Sequence, residues 1–111
     1  KVVLNQRQFA MYFSRAPIPW DRDLYRDGQG SVTQKMSVYR HIGMYGYRVS
    51  FLKAYQKMAV CPLELTESLE QLRALWYGVG IHMAIIDKAP GHGIDTPQDA
   101  ERVSAILQAG L

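Results

Sequence analysis

The sequence predicts an α/β fold in which helices pack on a sheet. Apolar residues alternate along residues 9–15, as in a pleated strand, whereas leucines recur at spacings of four and three within residues 62–76, as on one face of a helix. The predicted order of strand, helix, strand and helix is typical of this class. With 111 residues, of which 48% are hydrophobic, the chain can form one domain with a packed core.

A β-hairpin is predicted at the start of the chain. Residues 1–4 and 9–15 are apolar runs of strand length, and residues 5–8 form a polar tetrapeptide of the length that joins hairpin strands. Arg15 would end the second strand, and two of the next four residues are prolines. Because proline fixes the backbone and cannot donate to a sheet, Arg15 would be presented from rigid structure at the sheet edge.

Arg15 is therefore a candidate anion-binding residue. Its guanidinium is a planar fork of donors that matches a carboxylate or a phosphate, so an acidic substrate is the expected partner. The alternative is a structural role, in which Arg15 pairs with Asp21 or Asp23 of the charged loop that follows.

A third strand is predicted over residues 38–48. Alternation places His41 and Tyr45 on one face, about 13 Å apart, with Gly43 leaving room between them. The other face carries a valine, an isoleucine and a methionine and would belong to the core, which leaves the aromatic and histidine face open to a ligand. A short helix is predicted to follow over residues 51–57.

A longer helix is predicted over residues 62–76. A proline suits its first turn, and Gly78 would end it. Its apolar face would consist of Leu65, Leu69, Leu72 and Trp76. Glu70 and Gln71 lie off this face, so core packing does not explain them. The alternative for Glu70 is a surface ion pair with Arg73 at i+3.

The segment 91–99 follows a short predicted strand over residues 81–86. Thr96, the proline after it and the aspartate three residues on resemble a capping box, which would begin the last helix at Thr96 and extend it to about residue 108. Asp95 is thereby spared a capping role and is a candidate metal ligand on a glycine-rich turn. The alternative is a solvated aspartate that the helix dipole steadies.

The charge is unevenly distributed along the chain. Residues 1–57 hold ten Lys and Arg against three Asp, whereas residues 58–111 hold three basic against seven acidic residues. The basic half has no clustered basic arm, which argues against nucleic acid and favours an acidic small molecule or nucleotide. A single cysteine excludes an internal disulfide, and neither an apolar run of about 20 residues nor a signal-peptide pattern occurs. We therefore expect a cytoplasmic protein without membrane partners.

Four segments together resemble one known family. They are YFSRAPIPWDRD (12–23), RHIGMYGYR (40–48), PLELTESLEQLRALWYG (62–78) and GHGIDTPQD (91–99), in the family's order and with compatible spacing. The family is 3-deoxy-manno-octulosonate cytidylyltransferase, the CMP-Kdo synthetase of Gram-negative bacteria. The resemblance runs nearly end to end. It implies the C-terminal part of a nucleotidyltransferase-type, Rossmann-like three-layer fold, with a mixed sheet and flanking helices.

The resemblance also implies a reaction, the transfer of CMP from CTP to the anomeric hydroxyl of 3-deoxy-manno-octulosonate (Kdo). The products would be CMP-Kdo, for lipopolysaccharide synthesis, and pyrophosphate; Mg²⁺ would be the cofactor and the enzyme a homodimer. Carried over by motif, Arg15 would grip the carboxylate or nearby oxygens of the sugar acid, and Asp95 would bind Mg²⁺, both as catalytic residues. The other contacts to the sugar would come from His41, Tyr45, Glu70 and Gln71.

A complete enzyme is not expected from these residues. The family's nucleotide loop, cytosine pocket and second metal carboxylate belong to an N-terminal half, and no glycine-rich phosphate-binding motif occurs here. We expect residues 1–111 to be a single C-terminal segment, the sugar-binding and dimerisation half of a longer cytidylyltransferase, and to be inactive alone. Two alternatives are a cytidylyltransferase for another acid sugar, such as a sialic acid or an 8-amino Kdo analogue, and a binding or dimerisation module without catalysis.

Overall fold

The computed structural model describes residues 1–26, 33–88 and 93–110, except for the side chain of Tyr25. In chain order, the elements of this part are β1 (Val2–Leu4), β2 (Ala10–Phe13), α1 (Arg22–Arg26), α2 (Val49–Tyr55), α3 (Pro62–Glu67), α4 (Leu72–Trp76) and α5 (Pro97–Gln108). A small sheet with flanking helices confirms the predicted α/β class.

β1 and β2 form the predicted antiparallel hairpin. The Asn5 amide donates to the Phe9 carbonyl at 2.9 Å, and the Gln8 amide donates back to the Asn5 carbonyl at 3.0 Å. The side-chain oxygen of Asn5 also accepts hydrogen bonds from the Arg7 and Phe9 amides, at 2.9 and 3.0 Å. The polar tetrapeptide therefore closes the turn largely through one asparagine.

The register of β2 changes at Met11, which has no residue opposite it on β1. An extra residue on one strand reverses the faces of the residues beyond it. The predicted alternation along this strand is therefore wrong, because Ala10 and Phe13 are both buried whereas Met11 is 62% exposed.

Residues 38–48 do not form the predicted third strand. This segment meets the sheet at one isolated bridge, where the Val2 amide donates to the Tyr39 carbonyl at 3.2 Å. The chain then leaves the sheet and turns at Gly43, whose φ of +86° is readily accessible to glycine alone. A positive φ in the middle of the segment is incompatible with a continuous strand.

Residues 81–86 likewise contribute one bridge rather than the predicted strand. The Ala10 amide donates to the Ile81 carbonyl, and the Met83 amide donates to the Gln8 carbonyl, both at 2.8 Å. The segment runs antiparallel to the beginning of β2. Within the described part of the chain, the segment pairs with residues 8–10, at the turn end of the hairpin.

The predicted helix over residues 62–76 is broken into α3 and α4. Ser68, directly after α3, has a φ of 53° and a ψ of 48°, a left-handed conformation that ends a helix. The outer ends agree with the prediction, since α3 begins at Pro62 and Gly78 follows α4 with a φ of +81°. The break interrupts the predicted apolar face, whose first residue, Leu65, is 70% exposed.

A buried ion pair spans this break. The Arg73 guanidinium donates from Nε to Glu64 Oε2 at 2.7 Å and from Nη2 to Glu64 Oε1 at 2.5 Å. Glu64 is only 9% exposed, and its carboxylate also accepts a hydrogen bond from the Cys61 amide at the start of α3. The bonds from Arg73 hold the pKa of the Glu64 carboxyl below its usual range. The bidentate geometry fixes α4 relative to α3.

Leu72 anchors the helices on the sheet. It is fully buried in one cluster with Val2, Ala10 and Phe13, which come from both strands. Partly buried residues packed against the cluster include Leu4, Leu63, Leu69, Leu75 and Ile81. The core therefore lies between the hairpin and α4.

The remaining helices vary in how well the sequence predicts them. α5 begins as predicted, because the Thr96 hydroxyl accepts from the Asp99 amide at 3.2 Å while the Asp99 carboxylate accepts from the Thr96 amide at 3.1 Å. α2 begins and ends two residues before its predicted bounds, and α1 lies within a predicted loop. No helix within the described residues is long and apolar enough to cross a membrane.

Replacement of Leu72 by alanine should destabilise the protein by about 2–5 kcal/mol, because it removes buried methyl groups and leaves a cavity. Leu65→Ala is the matched control, since Leu65 is 70% exposed and its loss should change the free energy of unfolding by no more than about 0.5 kcal/mol. Urea denaturation of both variants measures the difference. Equal destabilisation would contradict the packing of α4 on the hairpin.

Glu64→Gln should lower the thermal unfolding midpoint by about 10 °C at neutral pH and have little effect in acid. The folded-state pKa of Glu64 lies below its ordinary value of 4.5, so the charged form stabilises the fold above that pH. This stabilisation is lost as the pH falls through the lowered pKa. Thermal unfolding of the variant and the wild type at several pH values tests this, and a difference of constant size would contradict it.

Candidate functional site

A cavity of about 970 Å³ is lined by residues 40–48, by α2, by the connection between α3 and α4 and by residues 79–84. Four of the six predicted site residues lie around it, namely His41, Tyr45, Glu70 and Gln71. Arg15 and Asp95 are not among the described residues that line it. The structure therefore brings together the predicted sugar contacts but leaves two predicted residues outside this cavity.

His41 and Tyr45 are in direct contact. His41 Nε2 and the Tyr45 hydroxyl oxygen are 2.6 Å apart, so the predicted separation of about 13 Å along a strand is wrong. The chain turns at Gly43 between them and does not continue as a strand. The two side chains consequently form one hydrogen-bonded unit, which packs edge-on against Phe13 of β2 through the His41 ring.

Burial disfavours the charged form of both members of this unit. It raises the pKa of Tyr45, and it lowers the pKa of His41, an effect that the nearby Glu70 carboxylate opposes. Either the Tyr45 hydroxyl donates to His41 Nε2, or the imidazole donates to the hydroxyl oxygen. In each arrangement the pair retains one further N–H or O–H donor for another acceptor.

A row of stacked rings continues from this unit along the cavity. Tyr45 stacks on Tyr47 with 5.7 Å between ring centroids, Tyr47 stacks on Phe51 at 5.6 Å, and Phe51 contacts Tyr55 at 5.7 Å. These four residues, here called the aromatic wall, all line the cavity. The spacing of four between residues 47, 51 and 55 was the only signal for this stack in the sequence, and the strand predicted for residues 38–48 obscured it.

Glu70 and Gln71, here called the polar floor, precede α4. Gln71 is only 6% exposed, and its Nε2 has no hydrogen-bond partner among the described residues. An unpaired buried donor is unfavourable by about 1–3 kcal/mol, which a ligand acceptor would offset. Glu70 is exposed, and its carboxylate does not form the alternative pair with Arg73, which binds Glu64 instead.

Arg15 lies just beyond β2 and binds the end of α3. Its guanidinium donates from Nε to the Glu67 carbonyl at 2.7 Å and from Nη2 to the Ser68 carbonyl at 2.9 Å. Its amide donates to the Glu67 carboxylate, which also accepts from the Ser14 hydroxyl at 2.7 Å. Arg15 thus satisfies carbonyls that the end of the helix leaves open. Neither this role nor the importance of Glu67 has a local signal in the sequence.

The alternative partners considered for Arg15 are engaged with another cation. Lys35 Nζ donates to Asp21 at 3.1 Å and to Asp23 at 2.9 Å. Asp21 also accepts from the buried Thr33 hydroxyl at 2.6 Å, and this bond, together with Lys35, lowers the pKa of Asp21 to about 2. The two aspartates therefore link residues 21–23 to residues 33–35.

Asp95 is exposed immediately before α5. Its amide donates to the Asp99 carboxylate at 3.2 Å while Thr96 provides the side-chain cap, so the Asp95 carboxylate has no capping role. The described residues contain no group of three His, Cys, Asp or Glu side chains that could hold a metal ion. Mg²⁺ commonly uses only one or two protein carboxylates with phosphate oxygens and waters, so Asp95 fits as a single ligand. Gly91 and His92 of the same motif lie outside the described residues.

Sequence comparison identifies relatives over nearly the whole chain. The chain is 52% identical over 107 residues to the 3-deoxy-manno-octulosonate cytidylyltransferase of Hahella chejuensis (strain KCTC 2396). It is 49% identical over 107 residues to the protein of that name from Alkalilimnicola ehrlichii (strain ATCC BAA-1101 / DSM 17681 / MLHE-1). The alignments cover 96% of this chain but only 42% and 41% of the relatives, so the chain spans about two fifths of their length.

Structural comparison gives the same family. A solved structure of CMP:2-keto-3-deoxy-manno-octonic acid synthetase complexed with CTP is 38% identical in sequence and similar in fold, with a TM-score of 0.83. The match covers 99% of this chain and 42% of that one, and it confirms the nucleotidyltransferase-type fold. A family model described as "Cytidylyltransferase" matches residues 1–85, well over half of the chain. This chain therefore belongs to the cytidylyltransferase family.

Proposed function

We propose that this chain forms the sugar-acid-binding part of an enzyme that transfers CMP from CTP to the anomeric hydroxyl of Kdo, giving CMP-Kdo and pyrophosphate. The observation that carries the proposal is the cavity, which unites the His41–Tyr45 pair with Glu70 and the unpaired amide of Gln71. The two curated relatives are named 3-deoxy-manno-octulosonate cytidylyltransferase, and the similar solved structure is a complex with CTP.

In this proposal the polar floor and the His41–Tyr45 pair hold the sugar. The Glu70 carboxylate accepts a hydrogen bond from a sugar hydroxyl, Gln71 Nε2 donates to a sugar oxygen, and the remaining donor of the pair binds a further oxygen. These contacts orient the anomeric hydroxyl for in-line attack on the α-phosphorus of CTP. In such a reaction, positioning and charge neutralisation provide most of the rate enhancement.

Arg15 is proposed to bind the carboxylate of the sugar acid or its nearby oxygens. Two of its donors already bind the carbonyls of Glu67 and Ser68, which holds the guanidinium in place. A guanidinium has five N–H groups, so others are left for an anion. Because the side chain is ordered before the ligand arrives, less conformational entropy is lost on binding.

Asp95 is proposed to be a ligand of Mg²⁺. Its carboxylate is exposed and takes no part in the cap of α5, which supports this role. Bound Mg²⁺ would offset the negative charge of the phosphates and lower the pKa of the attacking hydroxyl. One carboxylate is not a sufficient site, so the proposal draws the other ligands from CTP and from residues outside this chain.

The active protein is proposed to be longer than these 111 residues and to be a homodimer. The radius of gyration of 17.1 Å exceeds the roughly 13 Å of a compact domain of this length. Apolar side chains such as Met44 and Val49 are 89% and 67% exposed, and further chain or a second subunit would cover them. A cytoplasmic location and a role in lipopolysaccharide synthesis belong to the same proposal, with the single free cysteine, Cys61, as support.

The full-length protein should release pyrophosphate from CTP and Mg²⁺ only when Kdo is present, whereas residues 1–111 alone should not. Assays with Kdo, an 8-amino Kdo analogue and a sialic acid, each supplied separately, identify the sugar. Preference for the 8-amino Kdo analogue or the sialic acid would favour a cytidylyltransferase for another acid sugar. Sugar or subunit binding without turnover of any of them would favour the non-catalytic module.

Gln71→Met in the full-length protein should raise the KM for Kdo by about tenfold, since it removes the unpaired donor but keeps the volume of the side chain. The KM for CTP should not change. Gln108→Met is the matched control, because Gln108 is exposed at the end of α5. Steady-state kinetics with each substrate varied in turn measures both KM values. An equal rise of the two KM values would contradict a sugar-specific role.

Asp95→Asn should lower kcat on the order of 100-fold, because the amide is a poor Mg²⁺ ligand. The thermal unfolding midpoint should stay unchanged, since Thr96 and not Asp95 caps α5. Glu101→Gln on the exposed surface of α5 provides a control for loss of one charge. Full activity of the Asp95 variant at limiting Mg²⁺ would remove Asp95 from the proposed site.

A further inference from the structure

Tyr55 is the residue at which the aromatic wall meets the polar floor. It ends α2, and its ring continues the stack from Phe51. Its hydroxyl donates to the main-chain carbonyl of Glu70 at 3.1 Å. The guanidinium carbon of Arg73 lies 4.4 Å from the centre of its ring. One side chain therefore belongs to the wall and also contacts the floor and the first turn of α4.

None of the four residues of the wall is fully buried. α2 contains no buried residue, and Tyr47 is 52% exposed. The preceding segment leaves the sheet after its bridge at Tyr39. Because no residue of α2 is fully buried, directional contacts contribute to the position of this helix, and those made by Tyr55 reach the floor directly.

Other contacts hold the Glu70 end of the hydrogen bond between Tyr55 and Glu70. The Glu70 carbonyl accepts from the Arg73 amide at 3.1 Å as well as from the Tyr55 hydroxyl. Arg73 is held in turn by the bidentate pair with the buried Glu64. The Tyr55 hydroxyl consequently joins a short helix without fully buried residues to a turn that the Glu64–Arg73 ion pair holds.

We propose that Tyr55 is a positioning residue that sets the distance between the aromatic wall and Glu70 and Gln71, and thereby tunes the cavity for the sugar acid. This inference rests on the proposed function. Tyr55 acts through the backbone of Glu70, so its hydroxyl does not need to touch the substrate. CTP binding, which the proposal assigns largely to another part of the protein, is independent of this contact.

Tyr55→Phe in the full-length protein isolates the hydroxyl, because the ring can still stack on Phe51 and lie against Arg73. We expect the KM for Kdo to rise roughly 3- to 10-fold and the KM for CTP to remain unchanged. Tyr77→Phe is the matched control. The Tyr77 hydroxyl donates to the Ala59 carbonyl at 3.0 Å, a bond of the same type, and Tyr77 is not among the residues that line the cavity.

A mutant cycle tests the route through Glu70 and Gln71. If Tyr55 acts only by positioning Glu70 and Gln71, adding Tyr55→Phe to the variant Glu70→Gln/Gln71→Met should not raise the KM for Kdo further. Two independent losses that multiply would overturn the proposed route. Equal effects of Tyr55→Phe and Tyr77→Phe on the KM for Kdo would overturn the positioning role itself.

Hydrogen exchange provides a readout that needs no substrate. The amides of residues 70–73 should exchange faster in Tyr55→Phe than in the wild type, and Tyr77→Phe should leave them unchanged. Wild-type protein that fails to use Kdo would refute the proposed function and this inference with it. Wild-type turnover of Kdo with no change of exchange or KM in Tyr55→Phe would refute this inference alone.

Discussion

The left-handed residue between α3 and α4 is the constraint on which the candidate site depends. Ser68 adopts a φ of 53°, a conformation that is unfavourable for a non-glycine residue by about 1–2 kcal/mol. Hydrogen bonds from Arg15 to the carbonyls of Glu67 and Ser68 offset this strain, since each contributes about 1 kcal/mol or more when the donor is charged. The break changes the direction of the chain just before the polar floor. Gln71 is thereby placed at the cavity and buried.

Apolar packing and polar contacts contribute in different ways to the position of α4. Burial of Leu72 against Val2 and Phe13 supplies most of the free energy that holds α4 on the hairpin. It has no directional preference, however, and would tolerate rotation of the helix. The bidentate pair between Glu64 and Arg73 fixes the orientation of α4, because the two parallel hydrogen bonds of a planar guanidinium form over only a narrow range of angles. The geometry of the turn between α3 and α4 is accordingly determined by charged groups and its stability mainly by leucine.

The sequence predicts correctly those elements that depend on contacts between residues close together in the chain. The hairpin turn at Asn5, the start of α3 at Pro62 and the cap of α5 at Thr96 involve bonds within a few residues, and the sequence predicts all three. The carbonyls at the break accept hydrogen bonds from Arg15, which is more than fifty positions away, so no periodicity could reveal this contact. The segment 38–48 alternates like a strand, but a strand also needs a partner along its length, and the turn at Gly43 prevents one. The sequence predicts the candidate site residues from their type and motif, but it does not predict the contact between His41 and Tyr45.

Two kinds of surface line the cavity, and in the proposed site each would contact the sugar acid in a different way. Flat rings of the aromatic wall can cover the C–H groups of a sugar, whereas Glu70 and Gln71 can bind its hydroxyls. Charge would provide a further selection, because the described residues that line the cavity include Arg40 and Arg48 of the basic half and one carboxylate, that of Glu70. This excess of positive charge would attract a negatively charged ligand, and a neutral sugar of the same shape would lack that Coulombic attraction. The uneven charge of the sequence thus places more cationic than anionic side chains among the described residues at the cavity.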